Sequence, residues 1–470
     1  MFSLRAILMI AIGLGGCVVS LRRPYAGLLL VIFLYFFRPG LWGAEAYVRP
    51  VLWVSMAVVV GWYRERKASG SSPALRWLAV LLLLYAVSSI ITAISFGARG
   101  RPESEMVTLA DALRERLLPL TDIAKIFLTV FLISELCDTP KRLAGLMLVL
   151  LAGAGWFVKV SVLSWAAEGF SDKVRVDTAV GQGGGANYIS WVLASTAALL
   201  VYKVAHGQKW VRIAATALLP LWVVGILATG SRGGVVSLAA GLLAMLLVMR
   251  RFRLVLVLGC LGLLFLRLAP AGRMERLESI SLDTKKMDES MRIRVQHIQA
   301  GVKIIADHPF FGTGLDSFPR TKEKYLPTDY TADRAIVAHN TLIQMGSEVG
   351  LVFLAAFGVF GLYSFRCLLR RPDEAFKGAD LERMTWVRVG LAGALAATAV
   401  QMLKGDMAKI DLFWWLFGLA ITYGMVHTRA LAAAAETPAQ QPAQKPRPAR
   451  RPWAALRAKA KAKPKILTET

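Results

Sequence analysis

"RAIVAHNTLIQMGSEVGLVFLAAFG", residues 334–358, passes from charge to unbroken apolar sequence within one stretch. Arg334, His339 and Asn340 stand near its start, and nothing after Gly350 is polar. Such a run reads as the mouth of a membrane span. Taken as one helix over 339–365 it would run about 40 Å against about 30 Å of hydrocarbon, so its first turns stand in water. On that helix His339, Ile343, Gly346 and Gly350 share a face, with Asn340, Gln344 and Ser347 in a polar arc beside it. The glycines admit a close neighbour. A histidine at a helix N-terminus meets the positive end of the dipole, which favours the neutral imidazole that a general base needs.

The rest of the chain supports a membrane setting. Of 470 residues 56% are hydrophobic and only 19% charged, and mean hydropathy is +0.52. Apolar runs lie near 4–20, 25–37, 47–63, 76–96, 119–135, 143–163, 187–204, 211–229, 233–249, 254–269, 341–365, 387–403 and 411–427. The backbone of a span must satisfy its own hydrogen bonds, so these runs are helices. The expected fold is an all-α polytopic membrane protein of about 12–13 transmembrane helices. The first run lacks a convincing cleavage site and is expected to stay as a span.

Charge sorts the loops. "LRRP" (21–24), "RERKASGSSPALR" (64–76), "KVAHGQKWVR" (203–212), "RRFR" (250–253) and the 366–388 loop are rich in Lys and Arg, which places them in the cytoplasm. Parity then puts residues 267–338 outside, as one large periplasmic loop with an amphipathic helix at 291–308 and a "PFFGTG" turn after it. Three regions follow: N-terminal helices (1–180), a second membrane region with this loop (181–428), and a tail (429–470). The tail holds ten Lys/Arg against two Glu and reads as disordered. The net charge of +25 is spread over the tail and short loops, which suits anionic lipids rather than nucleic acid. Four cysteines show no metal or disulfide spacing.

Several polar residues stand where hydrocarbon makes them costly. Arg232, in "ATGSRGG", lies between two apolar runs on the outer side, and Gly230, Gly233 and Gly234 would let a phosphate approach the backbone. Arg292 and Arg294 open the amphipathic helix; two residues apart, they cannot share a face. Lys125 sits near the start of a span, and Asn187 follows the glycine-rich "GQGGGA". Walker, D-x-D, H-E-x-x-H and G-x-S-x-G patterns are absent, which removes the usual support for nucleotide or metal-hydrolase chemistry.

In order, "TGSRGG", "R-x3-I…HPFFGTGLDSF" and "AHN-x9-GLVF" resemble the O-antigen ligase and O-antigen polymerase family over roughly residues 180–370. "LRRPYAGLLLVIFLYFFRPGLWG" (21–43) resembles its exosortase-associated O-glycosylation ligase branch. The resemblance implies transfer of a glycan from undecaprenyl diphosphate to an acceptor hydroxyl, at the outer face of the bacterial inner membrane, with no nucleotide sugar, metal or cofactor. The acceptor would be another glycan, lipid A core or a protein. Arg232 and Arg294 would hold the diphosphate, and His339 would orient or deprotonate the acceptor. Arg292, Lys125, Asn187, Asn340, Gly312 and Gly314 stand with them as candidate substrate-binding positions. Phe353, Ile298 and Val236 depart from the family pattern, where respectively a glycine, threonine or tyrosine, a tryptophan and a leucine are common. A ligase, a polymerase and, from another class, a transporter remain the readings, although no internal repeat supports the last.

Overall fold

The structure is a computed structural model that describes residues 4–37, 50–65, 73–96, 108–167, 169, 185–251, 289–327 and 337–436. The described residues form helices and no strand. In chain order they are α1 (Leu4–Arg22), α2 (Pro24–Phe37), α3 (Pro50–Glu65), α4 (Pro73–Phe96), α5 (Leu109–Leu136), α6 (Pro140–Ala167), α7 (Ala186–His206), α8 (Lys209–Ala228) and α9 (Arg232–Val248). Then come α10 (Glu289–Asp307), the short α11 (Phe318–Thr321), α12 (Thr341–Val349), α13 (Leu351–Leu369), α14 (Gly378–Met402) and α15 (Asp411–Glu436). Helices α2, α3, α4 and α6 begin on proline, whose missing N–H would be unpaired at a first helical position anyway.

A helix stands at every expected apolar run except 254–269, which lies outside the described residues. By length and composition six described helices can cross a membrane, and α1, α2 and α9 are apolar but shorter. The chain is an all-α polytopic membrane protein. Parts of the 267–338 loop (267–288 and 328–336), the start of "GQGGGA" and the tail beyond 436 also lie outside the described residues.

The bundle is organised around α7. Its span is 78% buried, while the other five crossing helices are 28–44% buried and so keep a face for lipid. Helices α6, α8, α9 and α14 surround it. Three indoles tie the layers together: Trp191 donates to Thr398 Oγ1 (3.1 Å), Trp222 to Thr196 Oγ1 (3.0 Å) and Trp386 to the Leu199 carbonyl (3.0 Å). Helices α9 and α14 cross at Gly241 and Gly393, where a Cβ on Gly241 would stand 2.9 Å from the Gly393 carbonyl oxygen. Small residues at such crossings let backbones approach in lipid.

Two sequence expectations are corrected. The helix expected over 339–365 is two helices broken at Gly350. Asn340 is the N-cap of the first, so His339 lies ahead of the helix with φ +53 rather than on its face. The tail expected to be disordered from 429 instead continues α15 to Glu436, because "ALAAAAE" is a run of strong helix formers.

Candidate functional site

The break at Gly350 builds the site. Gly350 adopts φ +93 and ψ 171, a conformation open essentially to glycine alone. With α12 stopped there, the Ser347 and Glu348 carbonyls lose donors from the next turn. The "GTG" of "HPFFGTG" supplies them: Thr313 N–H donates to Ser347 (2.9 Å) and Gly314 N–H to Glu348 (2.8 Å). Leu351 N–H, opening α13, donates to Pro309 (2.7 Å). Gly312 (φ +64) and Gly314 (φ +100) turn the chain into this gap. The space where a Cβ would stand is filled, at Gly312 by Ser347 and Glu348 and at Gly314 by Arg116 and Thr92.

N-terminal helices hold the same loop. Ser88 on α4 donates to the Phe311 carbonyl (2.7 Å), and the buried Arg116 on α5 donates to the Thr313 carbonyl. Buried Glu348 links the parts. Its Oε1 accepts from Phe318 N–H (3.2 Å) and from Gln344 Nε2 (2.6 Å), while Gln344 Oε1 accepts from Ala338 N–H (2.7 Å). The residue before His339 is thus tied to the start of α11.

His339 itself is half-buried and faces α10. Its ring stacks on that of the fully buried His297 at 6.2 Å with 8° between planes. Burial, then Arg294, His297 and Lys322, lowers the His339 pKa to about 4. Burial, then Lys322, lowers His297 to about 4, against an opposing hydrogen bond with the Val337 backbone. Lys322 is buried, which brings its ammonium down to about 8 against the opposing charge of Glu323. The two loop arginines separate as their spacing requires: Arg292 is exposed, and Arg294 is half-buried beside His339.

Hydrogen bonds and one close approach carry the site from His339 to the start of α9. Asn340 Oδ1 caps α12 by accepting from Leu342 (3.0 Å) and Ile343 (3.1 Å), and its Nδ2 donates to the Leu403 carbonyl (3.4 Å). Thr341 Oγ1 donates to the Gly405 carbonyl (2.7 Å) and accepts from Met407 N–H (3.1 Å). Those bonds fix the turn after α14, which lays Lys404 against Gly233, where a Cβ would run into the ammonium. Lys409 on the same turn pairs with Asp316 of the loop. Arg232 is the first residue of α9, and its N-cap Ser231 donates to Asn187 Oδ1 (2.8 Å) while accepting from Gly234 N–H (3.2 Å).

One connected arrangement therefore holds Asn187, Arg232, Arg294, His339 and Asn340, with Gly312 and Gly314 in the joint beneath. Arg292 lies on the outer surface of α10. Lys125 is on the outside of α5, paired with Asp122 at 2.8 Å, both side chains about two-thirds exposed (66% and 69%). Sequence reasoning missed Arg116, His297, Lys322, Glu348 and Lys404. His297 alone carried a signal, since it sits three residues after Arg294 on the same helix face. Among the described residues no three His, Cys, Asp or Glu side chains are grouped as a metal site requires.

Fold and site together define a multi-pass α-helical membrane protein with a cationic, histidine-bearing site built on a broken helix. Residues 214–358 match the family described as O-antigen ligase. No curated protein matches the chain.

Proposed function

We propose that the protein transfers a glycan from a lipid-linked diphosphate to an acceptor hydroxyl at the outer face of the inner membrane. The observation that carries this reading is a neutral His339 facing Arg294 and Lys322, one residue before Asn340, whose bond to Leu403 holds the turn that lays Lys404 against Gly233, next to Arg232. The donor's diphosphate sits among the cations. Guanidinium forks match phosphate oxygens, and a fixed cationic clamp acts where charge develops as the sugar–phosphate bond breaks. The acceptor oxygen bonds to the anomeric carbon, its proton passes to His339, and the lipid diphosphate leaves with the bonding pair. Asn340 holds the acceptor beside the base.

The low basicity of His339 fits an ordered reaction. Without donor, burial first and then Arg294, His297 and Lys322 act against its protonation. A bound diphosphate offsets the cationic part of that effect and strengthens the base when donor is in place. The match to the O-antigen ligase family supports this chemistry over transport.

The test uses purified protein in bilayer discs with a lipid-linked oligosaccharide donor and a glycan acceptor. Arg232→Ala and His339→Ala each abolish transfer while the folded protein is retained. Transfer at the wild-type rate by both variants would sink the reading. In a deletion strain, long polymer stranded on the lipid carrier marks a ligase, and single repeat units on the surface acceptor mark a polymerase.

A further inference from the structure

We infer that His297 is a positioning residue for His339, fixing the plane of its ring and the strained backbone on which it stands. The inference rests on the reading of His339 as the acceptor-side base.

His339 has φ +53, in the left-handed region. For a residue with a Cβ that conformation is disfavoured, so something must hold it. Two straps do, both on the residues just before it. Gln344 takes the Ala338 N–H, and His297 hydrogen-bonds with the Val337 backbone. The second strap comes from α10, a different element, so it fixes where the segment stands relative to Arg294 as well as its local shape.

The rings give the second observation. His297 lies between His339 and Phe318: nearly parallel to the first, and edge-on to the second at 6.3 Å and 79°. Phe318 opens α11, which Glu348 anchors to α12. The order Phe318, His297, His339 is therefore a stack whose base is tied to the helix joint and whose free end is the proposed base. A histidine with no exposed surface on the loop's amphipathic helix is a poor filler. An apolar ring would pack as well but could not bond Val337.

The charged groups that act on this pair come from two elements. Helix α10 brings Arg294, and the turn after α11 brings Lys322, itself opposed by Glu323. Moving the His339 ring changes its distance to each of them, so ring position and basicity change together.

The chain has five histidines, so ring signals can be assigned by single substitutions. The experiment labels histidine ring carbons and nitrogens in the full-length protein in bilayer discs. It records the His339 titration and tautomer in wild type, His297→Phe and His297→Asn, and measures transfer kinetics on the same samples. His297→Phe keeps the stack and loses the backbone bond; His297→Asn keeps a donor and loses the ring. The expected result is a shifted His339 titration in both variants. With it, kcat falls about tenfold or more while donor KM stays within about twofold. Unmoved His339 signals overturn the inference even if kcat falls, since the loss is then general packing. Moved signals with unchanged kcat overturn it too. Should His339→Ala itself transfer normally, the base reading fails, and the ring signals still report separately whether His297 places His339.

Discussion

Replacing Gly350 by alanine tests the joint on which the site depends. A Cβ there meets two obstacles. The backbone sits at φ +93 and ψ 171, where a residue with a Cβ is strained by about 1–3 kcal/mol. The Cβ would also stand 2.6 Å from Phe311 N and closer still to the Phe310 carbonyl, distances that real Cβ atoms do not show. Neither atom can retreat freely. Pro309 accepts from Leu351, Thr313 bonds Ser347, and Gly314 bonds Glu348, so the loop is fixed on both sides of the clash. Relief breaks at least one of these bonds and leaves a buried backbone group unpaired, for a further 1–3 kcal/mol or so.

The expected total for Gly350→Ala is about 2–6 kcal/mol. The control is Gly358→Ala, one helix turn and more into α13, where nothing lies within 4 Å of an added Cβ. There alanine is neutral or stabilises by up to about 1 kcal/mol. Both variants are followed by denaturant midpoint and by transfer rate in bilayer discs. Gly350→Ala lowers the midpoint and, by displacing His339 and Asn340 relative to the cations, lowers the rate about 100-fold. If the two glycine variants match in both readouts, the joint does not hold the site and the reasoning fails.

Arg294→Ala reduces kcat/KM about 100-fold or more, while Arg292→Ala has an effect severalfold at most; equal losses would show that exposure does not distinguish them. Arg116→Ala leaves the Thr313 carbonyl without its guanidinium donor and loosens the loop. It lowers kcat and raises proteolytic cutting between Pro309 and Phe318, whereas unchanged protection would remove the proposed anchor. Lys404→Ala raises donor KM about tenfold, and an effect on acceptor KM alone would contradict its place in the clamp. His297 and His339 both titrate near 4 in the fold against about 6.5 unfolded. The unfolded chain therefore binds more protons between those values, and stability falls as pH drops from about 6.5 towards 4. Denaturation at pH 7 and pH 5 measures it, and His297→Phe must shrink the difference.

The helices were legible because each span's apolar content is local to it. The runs at 187–204 and 211–229 landed within a residue or two of α7 and α8. The break at Gly350 was not legible. Nothing between Thr341 and Leu369 forbids a continuous helix, and glycine is common in membrane spans. What stops the helix is a loop ending some 36 residues earlier, at Gly314, which offers its N–H groups to carbonyls a continuous helix would have used itself. The motif glycines on either side, at 312, 314 and 350, are halves of one joint, and only three dimensions show it.

The same reasoning explains which site residues escaped detection. Arg232, Arg294 and His339 are conspicuous because they are charged or titratable beside apolar sequence. Arg116, Lys322 and Glu348 look like ordinary loop or helix-end charges until burial makes them expensive. Arg116 reaches Thr313 across 197 positions, and Lys404 reaches Gly233 only because Asn340 and Thr341 hold its turn. Arg116 and Lys404 also lie outside the stretch that matches the family, as does α7, the helix around which the bundle packs. Residues 214–358 supply Arg232, Arg294 and His339, but the partners that hold them in register come from both flanks. A site assembled this way constrains positions whose own chemistry gives no hint of function, which is why substitutions at Arg116 and Lys404 test it as sharply as those at the histidine.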